Sequence, residues 1–278
     1  MTDTAAFTPL SALLARRQRR DADVSFDVPD DWLQGRTSFG GLVSTFAVQA
    51  MRDAVATDWP DGVKLRALQS NFIAPVEQGL LTVSVRLLRE GRNVRQVQAT
   101  VRQGDTMSAL IVGVFGLDRE TTLTPLNPLQ PAPARAVGEL PQLPFVRGVR
   151  PNFLVHFDTR WSEGTRPFSG HDGWTASIHL RLTDADAASL SPELATVLMA
   201  DVSPSPAISH FDKPSPTSSV SWSLEPRPLP PGDTVDGWWR ADNEVIAASG
   251  GYVNQRSSLW SPGGSLAALA YQVVTVYG

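Results

Sequence analysis

The chain has 278 residues, 42% of them apolar and 19% charged, which describes a globular protein large enough for one large domain or two ordinary ones. Its formal net charge of −4 comes with no basic patch that would favour nucleic acid. No apolar run reaches the roughly 18 residues that a membrane span needs. The absence of cysteine excludes a disulfide framework, a thiolate nucleophile and cysteine-ligated zinc.

Residues 1–22 form an N-terminal segment with only short apolar runs. They lack the charged region, apolar core and cleavage site of a secretory signal, so we expect a cytoplasmic protein. Residues 9–17 predict a short amphipathic helix. The arginines that follow suit an exposed, solvated face, and a phosphate contact is the alternative.

Residues 23–117 combine one strong helix pattern with several strand patterns. Val24, Phe26 and Val28 alternate with polar residues and predict a strand that Pro29 ends. Residues 35–56 predict the longest helix, opened by the pair Gly40 and Gly41. Because a helix start offers free N–H groups at the positive end of its dipole, it suits an oxyanion; close packing is the competing explanation for the glycines.

Four strand patterns follow this helix with no second helix between them. They occupy residues 64–76, 80–91, 93–104 and 106–116. A strand, a long helix and an antiparallel meander predict a sheet wrapped round one helix, an α+β arrangement.

Residues 118–150 are proline-rich and poorly periodic, which predicts an inter-domain linker. The element order then repeats over 151–278, where strand patterns occupy 152–161, 173–184, 217–226, 235–243, 245–256 and 265–278. An offset of 152 sets Phe72 against Leu224 and Gln49 against Asp201. Near the end of each half, Gly113 aligns with Gln272. We therefore expect an internal duplication with its polar chemistry in the second copy.

Asp201 interrupts the apolar segment 193–206. Ser191 suits an N-cap, and Leu194, Val197, Leu198 and Asp201 fall at i, i+3, i+4 and i+7 of one helix face. An unpaired carboxylate on a buried face is unfavourable, so it must be paired, hydrogen-bonded, wetted or protonated. The alternative is that the helix ends early and Asp201 is simply a polar residue near its end.

Gln272, like Asp201, is a polar residue on an otherwise apolar face. In the last predicted strand it shares a face with five apolar residues, Leu266, Ala268, Ala270, Val274 and Val276. A buried amide must find partners. A structural partner explains a single buried glutamine, whereas an acid and an amide in elements that pack together could jointly hold a water molecule.

These features resemble the double hotdog acyl-CoA thioesterases of the bacterial thioesterase II type. The similar segments are FGGLVSTFAVQA at 39–50, NFIAPV, GRNVRQVQATV at 91–101, the acid on the second helix and the glutamine of the last strand. The resemblance covers the chain from about Val24 to its end. It implies two tandem hotdog folds, each an antiparallel sheet wrapped round a helix, with boundaries at 23–117 and 151–278.

The resemblance also implies that an Asp, a Ser or Thr hydroxyl and a Gln activate water against a thioester. The Asp matches Asp201 and the Gln matches Gln272. The hydroxyl matches Ser219, with Ser218 one register away, and strand alternation leaves both open: Ser218 shares a face with Trp222 and Leu224, whereas Ser219 shares one with other hydroxyl residues. By analogy with the family we expect a homodimer or a homotetramer.

The expected reaction is hydrolysis of fatty acyl-CoA, with Asp201 as the base and with backbone N–H groups at Gly41 or Leu42 as the oxyanion donors. No phosphate-binding glycine loop or metal-ligand cluster predicts a cofactor or a metal. The sequence contains no G-x-S-x-G elbow for a serine nucleophile. Two alternatives are an enoyl-CoA hydratase-like enzyme, which would need an Asp and His pair, and a non-catalytic acyl-CoA or lipid-binding protein.

Overall fold

A computed structural model describes residues 7–277; the first six residues of the predicted N-terminal segment lie outside it. Residues 7–277 contain three α-helices: α1 (Leu10–Ala15), α2 (Gly40–Val55) and α3 (Pro192–Met199). None of the helices within the described range is both long and apolar enough to cross a membrane.

The described part of the first half, from residue 7 onward, contains eight strands. They are β1 (Gln18–Arg20), β2 (Asp23–Val28), β3 (Leu33–Gln34), β4 (Thr37–Ser38), β5 (Lys64–Phe72), β6 (Gly79–Glu90), β7 (Val94–Gln103) and β8 (Thr106–Gly116). The strand before Pro29, the glycine-led helix and the four-strand meander are therefore confirmed. Two of the predicted bounds are wrong, because the helix begins at Gly40 rather than at residue 35 and β5 ends at Phe72 rather than at residue 76.

The second half, as far as residue 277, contains six strands: β9 (Phe157–Gly164), β10 (Thr175–Leu182), β11 (Thr217–Pro226), β12 (Trp239–Ser249), β13 (Tyr252–Trp260) and β14 (Leu266–Val276). Several boundaries differ from the prediction; β12, for example, begins at Trp239 rather than at residue 235. Residues 152–156 form a 3₁₀ turn before β9. The division at residue 244 is wrong, because β12 runs on to Ser249 and the turn is made by Gly250 and Gly251, both at positive φ.

Twelve strands form one antiparallel sheet in the order β1-β2-β6-β7-β8-β5-β11-β14-β13-β12-β10-β9. The first copy, β2-β6-β7-β8-β5, and the second, β10-β12-β13-β14-β11, have the same internal order, and they meet where β5 pairs with β11. The fold is thus two tandem hotdog units. In the first, α2 packs on the inner face of the sheet, where Phe46 stacks on Phe26 at 4.2 Å between ring centroids.

The strand registers define the duplication residue by residue. β5 has a bulge against β8 between Leu65 and Ala67, and β11 has one against β14 between Ser219 and Ser221. Superposing the bulges equates Leu65 with Ser219, an offset of 154, so the predicted offset of 152 is wrong for these strands. Gly113 lies opposite Leu68 as Gln272 lies opposite Trp222, which gives the predicted equivalence of Gly113 and Gln272.

Residues 118–150 contain no α-helix and no strand of the sheet, and they lie against the second copy. Leu143 donates its N–H to the Thr159 carbonyl at 3.0 Å. The Arg160 guanidinium donates to the carbonyls of Val137 and Leu140, both at 3.0 Å. This segment therefore lies beside β9 at the edge of the sheet. Its assignment as an inter-domain linker, with boundaries at 118 and 150, stays a prediction.

Gly113 of the first copy corresponds to Gln272 of the second, but the space around Gly113 is too small for a glutamine side chain. A Cβ there would lie 2.8 Å from the Met51 sulfur and 2.8 Å from the Phe115 ring. We expect Gly113→Gln to lower the free energy of unfolding by about 2–3 kcal/mol through overpacking and an unpaired buried amide. Urea denaturation measures this change.

Gly138→Gln is the control, since nothing lies within 4 Å of a Cβ built at Gly138. Equal unfolding midpoints for Gly113→Gln and the parent would contradict the tight packing of α2 against β8.

Candidate active site

Asp201 lies just beyond the C-terminus of α3. The helix begins as predicted, with Pro192 in its first turn and the Ser191 hydroxyl accepting the Leu194 N–H at 3.2 Å. It ends at Met199, so the prediction that its regular turns extend to Asp201 is wrong. Pro204 and Pro206 follow within a few residues, and proline cannot continue a helix. The side chain of Asp201 nevertheless turns inward and is partly buried.

The Asp201 carboxylate meets the N-terminus of α2. Its Oδ2 atom accepts the Gly41 N–H at 2.7 Å. A Cβ on Gly40 would lie 3.0 Å from this oxygen and 2.7 Å from the Phe72 ring, and a Cβ on Gly41 would lie 3.0 Å from the Asp201 Cβ. The two glycines therefore let the acid approach the positive end of the helix dipole.

Gln272 joins the acid to a hydroxyl. Its Nε2 group donates to Asp201 Oδ1 at 3.1 Å and to Ser219 Oγ at 2.6 Å. The structure thus brings three residues predicted from the sequence, Asp201, Ser219 and Gln272, into one hydrogen-bonded cluster. They come from the end of α3, from β11 and from β14.

The bulge in β11 decides which serine reaches this cluster. Val220 is the extra residue, so Ser219 lies opposite Val274 while Ser221 lies opposite Val273. The insertion reverses the alternation, which puts Ser219 on the same face as Trp222 and Gln272. Ser218 is exposed. Alternation counted through an unbroken strand gives the opposite face, so the sequence alone left the choice open.

Gln255 is a member of the cluster that sequence analysis missed. It lies directly opposite Gln272 on β13, is 5% exposed, and donates its Nε2 to Gln272 Oε1 at 2.7 Å. Its own Oε1 is buried without a hydrogen-bond partner among the described residues. The sequence did contain a sign of its burial, because strand alternation puts the Gln255 amide on the same face as Val253 and Leu259.

The charge of Asp201 explains these orientations. An ionised carboxylate only accepts hydrogen bonds, so Gln272 must turn its Nε2 toward the acid and its Oε1 away. Gln255 must then donate to that Oε1, which leaves the Gln255 oxygen unpaired.

A second buried amide holds the turn that carries the acid. Asn243 donates its Nδ2 to Ser203 Oγ at 2.8 Å and accepts from the Ser257 hydroxyl at 2.6 Å. Asn243 is 5% exposed. These bonds tie the segment after Asp201 to β12 and β13, which limits its freedom to move.

Two family models cover most of the chain. The acyl-CoA thioesterase N-terminal domain matches residues 28–116, and the acyl-CoA thioesterase C-terminal domain matches residues 132–276. The chain belongs to the double hotdog acyl-CoA thioesterase family. No curated protein matches this thioesterase-family chain significantly.

Solved structures resemble this family member over nearly their whole length. A hotdog-fold protein of unknown function from Alicyclobacillus acidocaldarius is 18% identical, with a TM-score of 0.80 and coverage of 96% of this chain and 97% of that one. The acyl-CoA thioesterase II TesB2 from Mycobacterium marinum is 16% identical, with a TM-score of 0.73 and coverage of 95% and 96%. At these identities the likeness establishes the fold.

The described part of the thioesterase chain offers little for a metal. Residues 7–277 contain no group of three or more His, Asp or Glu side chains that could hold a metal ion. His156 stacks on Trp32, and His210 lies beside Asp172 and Trp174. Neither histidine belongs to the cluster around Asp201.

The local electrostatics suit Asp201 to proton transfer. Burial raises the pKa of the Asp201 carboxyl to about 6, although the Gly41 N–H and the Gln272 amide favour the ionised form. At neutral pH the group is therefore mostly ionised and still able to take a proton, as a general base requires.

This pKa makes the charge of Asp201 a destabilising feature. The carboxyl binds its proton more tightly in the folded chain than in the unfolded one, so its contribution to stability is lost as the pH rises from about 4 through about 6. We expect Asp201→Asn to be more stable than the parent at pH 8, by about 3 kcal/mol. The gain should disappear near pH 4.

Thermal or urea unfolding at both pH values measures the difference. Asp53→Asn is a useful comparison, because Asp53 is paired with Arg17 and its loss should destabilise the chain. A parent that is more stable than Asp201→Asn at pH 8 would show that the carboxylate is not strained by burial.

Proposed function

We propose that this chain is an acyl-CoA thioesterase that hydrolyses fatty acyl-CoA to the free acid and CoA. The observation that carries the proposal is the cluster of Asp201, Ser219 and Gln272 at the N-terminus of α2. It unites a base, a hydroxyl and an amide beside N–H groups that can stabilise negative charge. Binding alone would need none of the three.

In the proposed reaction Asp201 takes a proton from a water molecule as that water attacks the thioester carbonyl. Gln272 and Ser219 orient the water. Because Ser219 Oγ accepts from Gln272, its own O–H is left to donate to the water or the substrate. The tetrahedral intermediate then expels the CoA sulfur, which receives the proton held by Asp201, and no covalent enzyme intermediate forms.

Backbone N–H groups at the start of α2 are the proposed donors to the oxyanion. Gly41 and Leu42 are both placed in the first turn of the helix. Asp201 already accepts the Gly41 N–H in this structure, so Leu42 is the better donor while the acid is ionised. Protonation of Asp201 during the reaction weakens that bond and frees the Gly41 N–H for the substrate oxygen.

We further propose a cytoplasmic homo-oligomer, a homodimer or a homotetramer. Support for assembly comes from apolar side chains exposed on the second copy: Ile246 is 57% exposed, Tyr252 55% and Tyr271 50%. Exposed groups of this kind are often covered by another subunit.

Free CoA release from acyl-CoAs of short, medium and long chain tests the function. We expect Asp201→Asn to lower kcat about 10³-fold, as loss of a general base does. Ser219→Ala and Gln272→Ala should also lower kcat, whereas Ser218→Ala, on the exposed face, should leave it unchanged. In the parent, kcat/KM should rise with pH to a plateau, with its midpoint near 6.

If the folded parent binds acyl-CoA but releases no CoA from any of these substrates, the hydrolase proposal is rejected and a binding protein is favoured. A Ser218→Ala variant that loses as much activity as Ser219→Ala would contradict the assignment of the hydroxyl.

Gln255 is proposed as a positioning residue that acts through Gln272. Gln255→Met removes the donor that fixes the Gln272 amide while nearly conserving volume. We expect kcat to fall about tenfold with little change in KM, on the scale of lost supporting hydrogen bonds. The pH midpoint should also move upward, because the Gln272 bond that lowers the Asp201 pKa becomes less populated.

Gln96→Met, at an exposed position of β7, is the matched control. If Gln255→Met changes only thermal stability and leaves kcat and the pH midpoint where they were, Gln255 is structural.

A further inference from the structure

The internal duplication assigns a counterpart to each residue of the candidate site. The helix N-caps, Phe39 and Ser191, differ by 191 − 39 = 152. This offset sets Gln49 against Asp201 and Glu193 against Gly41. In the strands, the offset of 154 sets Leu65 against Ser219 and Pro226 against Phe72.

These counterparts surround one cavity. Gln49, Leu65, Glu193 and Pro226 all line a cavity of about 690 Å³ between the two copies. The cavity is therefore the position that corresponds, in the duplicated fold, to the site at Asp201. Its volume lies within the range of small-molecule binding sites, about 300–1,000 Å³.

The groups that the proposed hydrolysis needs are absent from this position. A glutamine, Gln49, stands in place of the base, and Leu65 stands in place of the hydroxyl. Gly113 stands in place of Gln272. Glu193 Oε2 instead accepts the Leu65 N–H at 2.8 Å, and its Oε1 accepts the Arg52 Nε–H at 2.8 Å.

The features that would bind a ligand remain. Leu14, Leu190, Leu194 and Leu229 give the cavity apolar walls. Its charged lining consists of Arg52, Lys64, Arg227 and Glu193. Arg52 is paired with Glu193 and Lys64 with Asp118, so Arg227 is the lining cation without an ion-pair partner among the described residues. Apolar walls beside an exposed arginine favour a chain that ends in an anionic group.

We propose that this cavity is a second, non-hydrolytic site for a fatty acyl chain with an anionic head group. The ligand class rests on the proposed function, since the duplicated fold would place the same kind of ligand in both positions. A free fatty acid and a fatty acyl-CoA share the required chemistry, and the two probes below distinguish them.

The test is a calorimetric titration of the full chain with S-dodecyl-CoA, a thioether that cannot be hydrolysed, and separately with laurate. We expect two ligands per chain for at least one probe. Gln49→Trp, which fills the cavity, should reduce this to one. Arg227→Glu, a charge reversal at an exposed residue, should weaken the second site about tenfold.

Arg86→Glu, an exposed arginine on β6, is the matched control and should change neither site. Laurate as the only second-site ligand would identify the free acid, and S-dodecyl-CoA as the only one would identify the CoA ester. A single site per chain with both probes would overturn the proposal. So would two sites that neither Gln49→Trp nor Arg227→Glu affects; if Gln49→Trp does not fold, Arg227→Glu decides alone.

CoA release from dodecanoyl-CoA, measured on the same variants, separates the two proposals. Gln49 and Arg227 lie outside the cluster at Asp201, so hydrolysis should persist when the second site is lost. Hydrolysis with only one binding site would reject the second site alone. Two binding sites without CoA release from any acyl-CoA would reject the hydrolase function and leave the second site standing.

Discussion

The structure of the candidate site depends on one ionised carboxylate at a helix N-terminus. Because the charged Asp201 side chain can only accept hydrogen bonds, it sets the direction of every polar group around it. Gly41 donates from the helix, Gln272 turns its amide nitrogen inward, and Gln255 must donate in turn. These hydrogen-bond directions leave the Gln255 Oε1 atom without a partner among the described residues. The result is a partly buried carboxylate whose pKa burial raises and whose hydrogen-bond partners are fixed in direction.

Much of the fold could be predicted from the sequence, because period-2 and helical patterns follow directly from burial. The strand ending at Pro29, the glycine-led helix and the meander of the first copy were all readable. In the second copy the predicted strand boundary at Glu244 was wrong. Gly250 and Gly251 form the turn that separates β12 from β13. The glycine pair is visible in the sequence, but nearby polar residues are also candidates for a turn, so the pattern does not single out the glycines.

The candidate site was predictable in its residue types and less so in its geometry. Asp201 and Gln272 stood out as polar groups on apolar faces, whereas the hydroxyl depended on a bulge at Val220 that alternation cannot reveal. Gln255 was missed because its face also carries Ser257, so it did not stand out as a lone polar group. Single-strand patterns show which side chains are buried, but not which of them meet across a sheet.

The junction of β5 with β11 brings together two copies that no longer have to be identical. The acid comes from the second copy, and the helix start that receives it comes from the first. A single copy that paired with itself would build two such sites by symmetry, each shared between subunits. Joining the copies in one polypeptide removes that symmetry, because the two corresponding positions are then encoded separately. One position can therefore carry Ser219 and Gln272 while the other carries Leu65 and Gly113.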